Sequence, residues 1–169
     1  MVEQTDSDDM LRREIHAFRA GLRTVQLATV SRDGVPEASY APYVVDASGN
    51  YYVFISGLAR HTRDLQDTGQ VSLLFIEAEG AARNLFARRR LTCSCTATCI
   101  ARDDPDWEVQ LARFTQQFGK FIDTLRGLSD FRLFRLTPVS GGYVRGMGQA
   151  FRFEGPGFDA IRHVRGRQD

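Results

Sequence analysis

Apolar and polar residues alternate along most of this chain, and such alternation is typical of half-buried β-strands. It predicts strands over residues 25–31, 36–45, 51–56, 70–76, 91–99, 131–138, 142–146 and 150–153. Short turns separate the first of them, as at Arg32-Asp33-Gly34, and this turn chemistry favours antiparallel hairpins. The pattern therefore predicts an α+β, mainly β fold: an antiparallel β-barrel of about six strands with peripheral helices.

Apolar residues at three- and four-residue spacing predict the helices. They favour a helix from about Ser7 to Leu22, a short one over residues 60–67, one that begins near Asp103, and a shorter one that ends near Leu125. The length suits a single domain over residues 1–169. We expect it to divide into an N-terminal helix (1–24), a barrel core (25–154) and a C-terminal tail (155–169).

Charge and composition exclude several classes of partner. The 22 Lys and Arg residues nearly cancel the 21 Asp and Glu residues, so no overall field favours nucleic acid or an anionic membrane. No apolar run is long enough to cross a bilayer, and the acidic start, Val2 to Asp9, is unlike a signal peptide. A cytoplasmic location is the expectation. The three cysteines share one face of a predicted strand, which favours reduced thiols in a core.

Candidate chemistry is concentrated where the strand 51–56 meets the following helix. Ser56, Arg60, His61 and Thr62 stand at this junction, beside Gly57. Free backbone N–H groups and positive charge at a helix start favour an anion. The junction is therefore a candidate site for a phosphate or a carboxylate.

A second cationic group, Arg88-Arg89-Arg90, precedes the cysteine-rich strand. Such a run is either a solvated edge or a patch for ligand carboxylates, which guanidinium groups bind in pairs. The sequence leaves both interpretations open.

Several short motifs, in their order and spacing, resemble the FMN-binding split-barrel superfamily, which is related to pyridoxamine 5'-phosphate oxidase. The resemblance is strongest to its haem-utilisation (HugZ/HutZ-like) branch and covers residues 25–153. The motifs are Leu27-Ala28-Thr29-Val30, Asp33-Gly34-Val35-Pro36, Ala38-Ser39-Tyr40-Ala41-Pro42, and the run from Ile55 to Leu65 with Ser56, His61 and Thr62. The resemblance implies a homodimer with one small-molecule cofactor in the cleft between the subunits.

The resemblance implies one of two cofactors. FMN would place its phosphate at Ser56, Arg60, His61 and Thr62, and its ring along Ser39, Tyr40 and Ala41. The sequence departs from the oxidases there: Ala38 and Pro42 stand about where those relatives have Arg and Lys, and Asp64 replaces a common Asn.

Haem would need an axial ligand and cations for its propionates. His163 resembles the proximal histidine of the haem-utilisation branch, and Asp130 resembles the acidic residue that hydrogen-bonds it. Arg88, Arg89 and Arg90 are candidates for the carboxylates. Alternatively, His163 belongs to a basic tail and Asp130 caps a turn.

The leading hypothesis is a haem-binding, haem-degrading oxygenase-like protein of iron utilisation. The alternatives are an FMN-dependent, pyridoxamine phosphate oxidase-like oxidoreductase and a carrier or sensor without turnover. The sequence does not name the electron donor.

Overall fold

The computed structural model describes residues 2–164, with side chains described from residue 7 onward. Within that range the chain forms four α-helices and eight β-strands, joined by turns and two short 3-10 segments. In chain order they are α1 (Val2–Ala20), β1 (Thr24–Val30), β2 (Pro36–Val45), β3 (Tyr51–Ser56), α2 (Arg60–Thr68), β4 (Gln70–Ile76), β5 (Arg90–Ile100), α3 (Pro105–Phe118), α4 (Phe121–Arg126), β6 (Phe131–Gly146), β7 (Gln149–Glu154) and β8 (Asp159–Val164).

All eight strands belong to one antiparallel sheet in the order β3-β2-β1-β4-β5-β6-β7-β8. The first half of β6 also pairs with β3, from Phe131 opposite Ser56 to Leu136 opposite Tyr51. This pairing closes six strands into a barrel, which confirms the predicted fold. The second half of β6 continues past the barrel and carries β7 and β8 as an extension.

Two expectations for the C-terminal third were wrong. Residues 131–138 and 142–146 are not separate strands, because β6 runs unbroken for 16 residues. Pro138 is accommodated opposite Cys95, next to a bulge on β6: Ser94 is opposite Ser140, so Val139 of β6 is an extra residue. Residues 159–164, expected in a tail, form β8 and pair with β7. Residues 165–169 of that expected tail lie outside the described residues.

Two apolar clusters lie on either side of the barrel wall. The barrel interior is filled by side chains such as Tyr51, Leu73 and Phe75, and α1 packs Leu11 and Ile15 against it. The second cluster holds Trp107 and its neighbours on α3 and α4 against the outer wall. Because the interior is filled, a cofactor must bind on the outside of the barrel.

The cysteine prediction holds for two of the three thiols. Cys93 and Cys95 are buried in the barrel core as free thiols, and burial raises the pKa of Cys93 to about 12. Cys99 is exposed. None of the helices in the described part of the chain combines the length and apolar character that crossing a bilayer requires.

Candidate functional site

Asp130 is joined to the end of β3, where the predicted anion site begins. Its carboxylate accepts a 2.6 Å hydrogen bond from Ser56 Oγ, and its carbonyl accepts from the N–H of Gly57 at 2.8 Å. A Cβ on Gly57 would lie 2.7 Å from that carbonyl oxygen, so only glycine allows this approach. Asp130 therefore closes the turn between β3 and α2.

Thr62 has a structural partner inside the same turn. Its hydroxyl donates to the Ser56 carbonyl at 2.6 Å, and the residue is fully buried. Two residues further along α2, buried Asp64 accepts from Thr29 Oγ1 of β1 at 2.8 Å. The hydroxyls of Ser56 and Thr62 thus donate to oxygen atoms of the chain itself.

Two of the three cationic residues of α2 lie beside carboxylates, whereas the exposed Arg63 has no ion pair among the described residues. Arg60 pairs with Glu37 of β2 at 3.4 Å. Burial lowers the pKa of His61 below its ordinary value, and the carboxylates of Glu37 and Asp64 offset part of this. His61 Nε2 is buried and has no hydrogen-bond partner among the described residues. Arg60 and His61 therefore offer a phosphate little uncompensated positive charge, and Arg63 is the cation of this helix that has no carboxylate partner within the described residues.

The stretch Ser39-Tyr40-Ala41 on β2 is divided between two faces of the wall. Ala41 is buried in the barrel interior, and Ser39 Oγ is buried without a hydrogen-bond partner among the described residues. Tyr40 is 68% exposed and borders a shallow, largely apolar hollow of about 760 Å³ on the outer face. Of these three side chains, Tyr40 is the one that an external ligand can reach.

The arginine run lies at the opposite side of the sheet, before β5. Arg88 donates to the Glu77 carbonyl and pairs with Glu79, and Arg89 pairs with the Glu77 carboxylate at 3.0 Å. Arg90 donates to the Arg88 carbonyl and has no carboxylate partner within the described range. Two of the three guanidinium groups are therefore neutralised within the chain.

His163 lies on β8 directly opposite Phe151 of β7, and the ring centroids are 5.1 Å apart. The imidazole is exposed and makes no hydrogen bond in the described part of the chain. Phe151 pairs in turn with Tyr143, twelve residues beyond Phe131 on β6. At about 3.3 Å per residue, Asp130 is some 35–40 Å from His163. One chain cannot bring this predicted pair together.

Two cationic residues that the sequence did not single out lie on the same extension. Arg152 of β7 and Arg162 of β8 are directly opposite each other, and both are exposed. Together with Gly142 they border an open hollow of about 700 Å³. The turn Gly155-Pro156-Gly157 between the two strands is the sequence signal that could have predicted this hairpin.

The sequence profile of the pyridoxamine 5'-phosphate oxidase family matches residues 11–145. The chain belongs to this family. It is 45% identical over 154 residues to the haem oxygenase HutZ of Vibrio cholerae, which covers 91% of this chain and 87% of that protein. The crystal structure of HutZ, described as a haem storage protein, gives a TM-score of 0.71 at 47% identity over 75% of this chain and 88% of that one. The crystal structure of Campylobacter jejuni ChuZ gives a TM-score of 0.84 at 28% identity, over 95% of this chain and 65% of that one. The predicted resemblance is confirmed.

In this member of the pyridoxamine 5'-phosphate oxidase family, the predicted site residues form two separate groups. The first surrounds the start of α2 and contains Ser56, Arg60, His61, Thr62 and Asp130. The second lies around the far end of β6 and contains Arg88, Arg89, Arg90 and His163, together with the unpredicted Arg152 and Arg162. Strand β6 joins the two groups, so a ligand that contacts both needs a second copy of the chain.

Proposed function

We propose that this protein binds haem in a cleft between two copies of the chain and degrades it oxidatively. The observation that carries the proposal is His163: its imidazole is exposed, makes no hydrogen bond within the described residues, and is held on an ordered strand by Phe151. The imidazole of histidine is a common axial ligand of haem iron. The 45% identity to a haem oxygenase supports the same assignment.

The contacts at α2 weigh against FMN as the resident cofactor. A phosphate dianion there would have to replace the hydrogen bonds Ser56–Asp130 and Thr62–Ser56. It would also face the carboxylates of Asp130 and Glu37. The family match keeps an FMN-dependent oxidoreductase as the second candidate, since the matched profile is that of a phosphate-cofactor oxidase.

A homodimer is part of the proposal, because the two groups of residues lie at opposite ends of β6. The outer face of β2, β1 and β4 carries the apolar hollow beside Tyr40, and burying such a face stabilises association. In an antiparallel pair of barrels, His163 of one copy would approach Asp130 of the other. A carboxylate that accepts from Nδ1 would leave Nε2 as the iron ligand.

The chemical work of the chain in this proposal is to bind and orient. Haem supplies the activation of oxygen once the iron is reduced. His163 would hold the haem iron, and Asp130 of the second copy would fix the imidazole tautomer. The filled barrel and the wall of β5 and β6 would exclude bulk water from one face of the ring.

Titration of the purified protein with haem, followed by absorbance, tests the proposal. Wild type should develop a Soret band at one haem per chain, and His163→Ala should lose it. His61→Gln serves as the control, since His61 lies in the other group and should leave the band unchanged. A yellow protein that binds FMN, ignores haem and loses FMN in His61→Gln would establish the second candidate instead.

Turnover is tested on the same haem complex. Addition of a reductant and oxygen should bleach the Soret band and release iron that a ferrous chelator detects. A complex that keeps its porphyrin intact under these conditions would be a carrier. A molecular mass in solution equal to one chain would contradict the shared cleft.

A further inference from the structure

Arg152 and Arg162 form a cross-strand pair of like charges. Their Cα atoms are directly opposite in the β7–β8 ladder, so their side chains emerge on the same face. Like charges in this position destabilise a sheet. Neither guanidinium makes a hydrogen bond or ion pair in the part of the chain that the structure describes. Glu154, which borders the same hollow, lies more than 4 Å from both charges. Among the described residues, no carboxylate neutralises this pair.

No side chain rises beside the pair on β6, because the residue opposite Arg152 is a glycine. Gly142 of β6 is directly opposite Arg152, and Gly141 precedes it. The hydroxyl residues Thr92, Ser94 and Ser140 border the rest of the hollow. A volume of about 700 Å³ lies within the usual range for small-molecule sites. A floor that has no side chain at Gly142 and two guanidinium groups at one edge suits a planar molecule with two carboxylates on one side.

We propose that Arg152 and Arg162 bind the two propionate carboxylates of haem; this rests on the haem binding proposed above. Each guanidinium can donate two parallel hydrogen bonds to one carboxylate. The ring would then lie over Gly141 and Gly142. Arg88 and Arg89, the cations that the sequence suggested for this role, are already paired with Glu79 and Glu77.

The positions on β8 decide which copy of the chain supplies the pair. Adjacent residues of a strand point to opposite faces, so His163 and Arg162 emerge on opposite sides of the β7–β8 ribbon. The His163 ring contacts Phe151, and Phe151 packs against the barrel core. Arg162 and His163 of one chain therefore emerge on opposite sides of its own ribbon, although His163 is also among the residues that border the hollow. The arginine pair of one copy would serve the haem that His163 of the other copy ligates.

A porphyrin whose propionates are esterified separates this role from a structural one. Wild type should bind haem about 10- to 100-fold more tightly than haem dimethyl ester, as expected when charge-assisted hydrogen bonds are lost. The variant Arg152→Gln/Arg162→Gln should lose that preference by binding haem more weakly and the ester unchanged. The matched control is Arg32→Gln/Arg113→Gln, which removes two exposed guanidinium groups elsewhere and should keep the preference.

Other results of this titration would overturn the assignment. They are an undiminished preference for haem in Arg152→Gln/Arg162→Gln, or an equal loss of affinity for haem and its ester. In both of these results, wild type still binds haem, so only the role of the arginine pair fails. If wild type develops no Soret band, the proposed function itself fails. The two failures are therefore distinguishable.

A mixed dimer tests the sharing between copies. One protomer carries His163→Ala and the other carries Arg152→Gln/Arg162→Gln, with different affinity tags for purification. If each cleft uses His163 of one copy and the arginine pair of the other, one cleft has both defects and one is intact. The mixed dimer should then bind half the haem of wild type with wild-type affinity. Absence of any wild-type site would overturn the shared arrangement.

Discussion

Gly141→Ala tests the packing where β6 leaves the barrel. Gly141 lies between Cys93 of β5 and Phe153 of β7, and the Phe153 side chain is almost fully buried there. A Cβ on Gly141 would lie 2.3 Å from the Thr92 carbonyl oxygen and 2.4 Å from Cζ of Phe153. Ordinary contacts begin near 3.4 Å, so both neighbours would have to move by about 1 Å.

The expected cost follows from those two contacts. Overpacking a core costs about 1–3 kcal/mol, and a clash with a backbone oxygen held in a sheet falls at the upper end. Alanine recovers about 0.4–1 kcal/mol by restricting the unfolded chain. We therefore expect Gly141→Ala to lower the free energy of unfolding by about 2–3 kcal/mol. For a chain of this size, that lowers Tm by about 4–12 °C.

Urea unfolding followed by circular dichroism measures the effect, and an unchanged m-value would show that the denatured state is not responsible. Gly142→Ala is the matched control. Its Cβ would approach the Phe151 carbonyl oxygen to 3.2 Å, which a small adjustment relieves. Its free energy of unfolding should stay within about 1 kcal/mol of wild type. Equal stability of the two variants would refute the packing argument.

Four further substitutions probe groups inside the barrel and under its helices. Thr29→Val and Asp64→Ala should each lower the free energy of unfolding by about 1–3 kcal/mol, because each removes one partner of a buried hydrogen bond. In a double-mutant cycle measured by thermal or urea unfolding, the double variant should lose less than the sum of the two single losses. Full additivity would mean that the hydrogen bond contributes nothing. Burial lowers the pKa of both His16 and His61 below 6.5, so the unfolded chain takes up protons first and stability falls as pH drops through that value. His61→Gln should therefore flatten part of the dependence of the urea midpoint on pH between about 7.5 and 5.5, and a slope equal to wild type would contradict this. Arg19 is buried, and its Nε and one terminal nitrogen have no hydrogen-bond partner among the described residues. Arg19→Met should therefore lower the free energy of unfolding by less than about 1 kcal/mol in the same assay. A larger loss would show that the guanidinium has a stabilising partner.

The sequence predicted the first half of the fold closely because its signals there are local. The bounds of β2 and β3 agree with the prediction to the residue, since alternation and turn chemistry act over a few positions. The continuity of β6 depends on a bulge at Val139, where the pairing with β5 skips one residue, and alternation alone cannot reveal it. The β8 strand was missed because a run of arginines near the chain end is more typical of a tail.

The candidate site was predictable by residue type but not by partner. The turn after β3 brings Ser56, Thr62 and Asp130 close together, as the sequence suggested. Their hydroxyl and carboxylate groups hydrogen-bond within the turn, which they close, and are not left free for a ligand. The sequence could not show that Arg152 and Arg162 lie side by side, because this follows only from the pairing of β7 and β8. Local patterns therefore identified the chemistry, whereas long-range pairing decides which groups are available to a ligand.

The length of strand β6 also sets how far apart the two groups of site residues lie. Hydrogen bonds along both edges hold it in the sheet, so the length of strand between its two ends is set by residue count. Inserting two residues near its midpoint would lengthen that spacing by about 7 Å without turning any side chain to the other face. A change in the length of this one strand could thus fit the site to a ligand of different size, while the residues at each end stay the same.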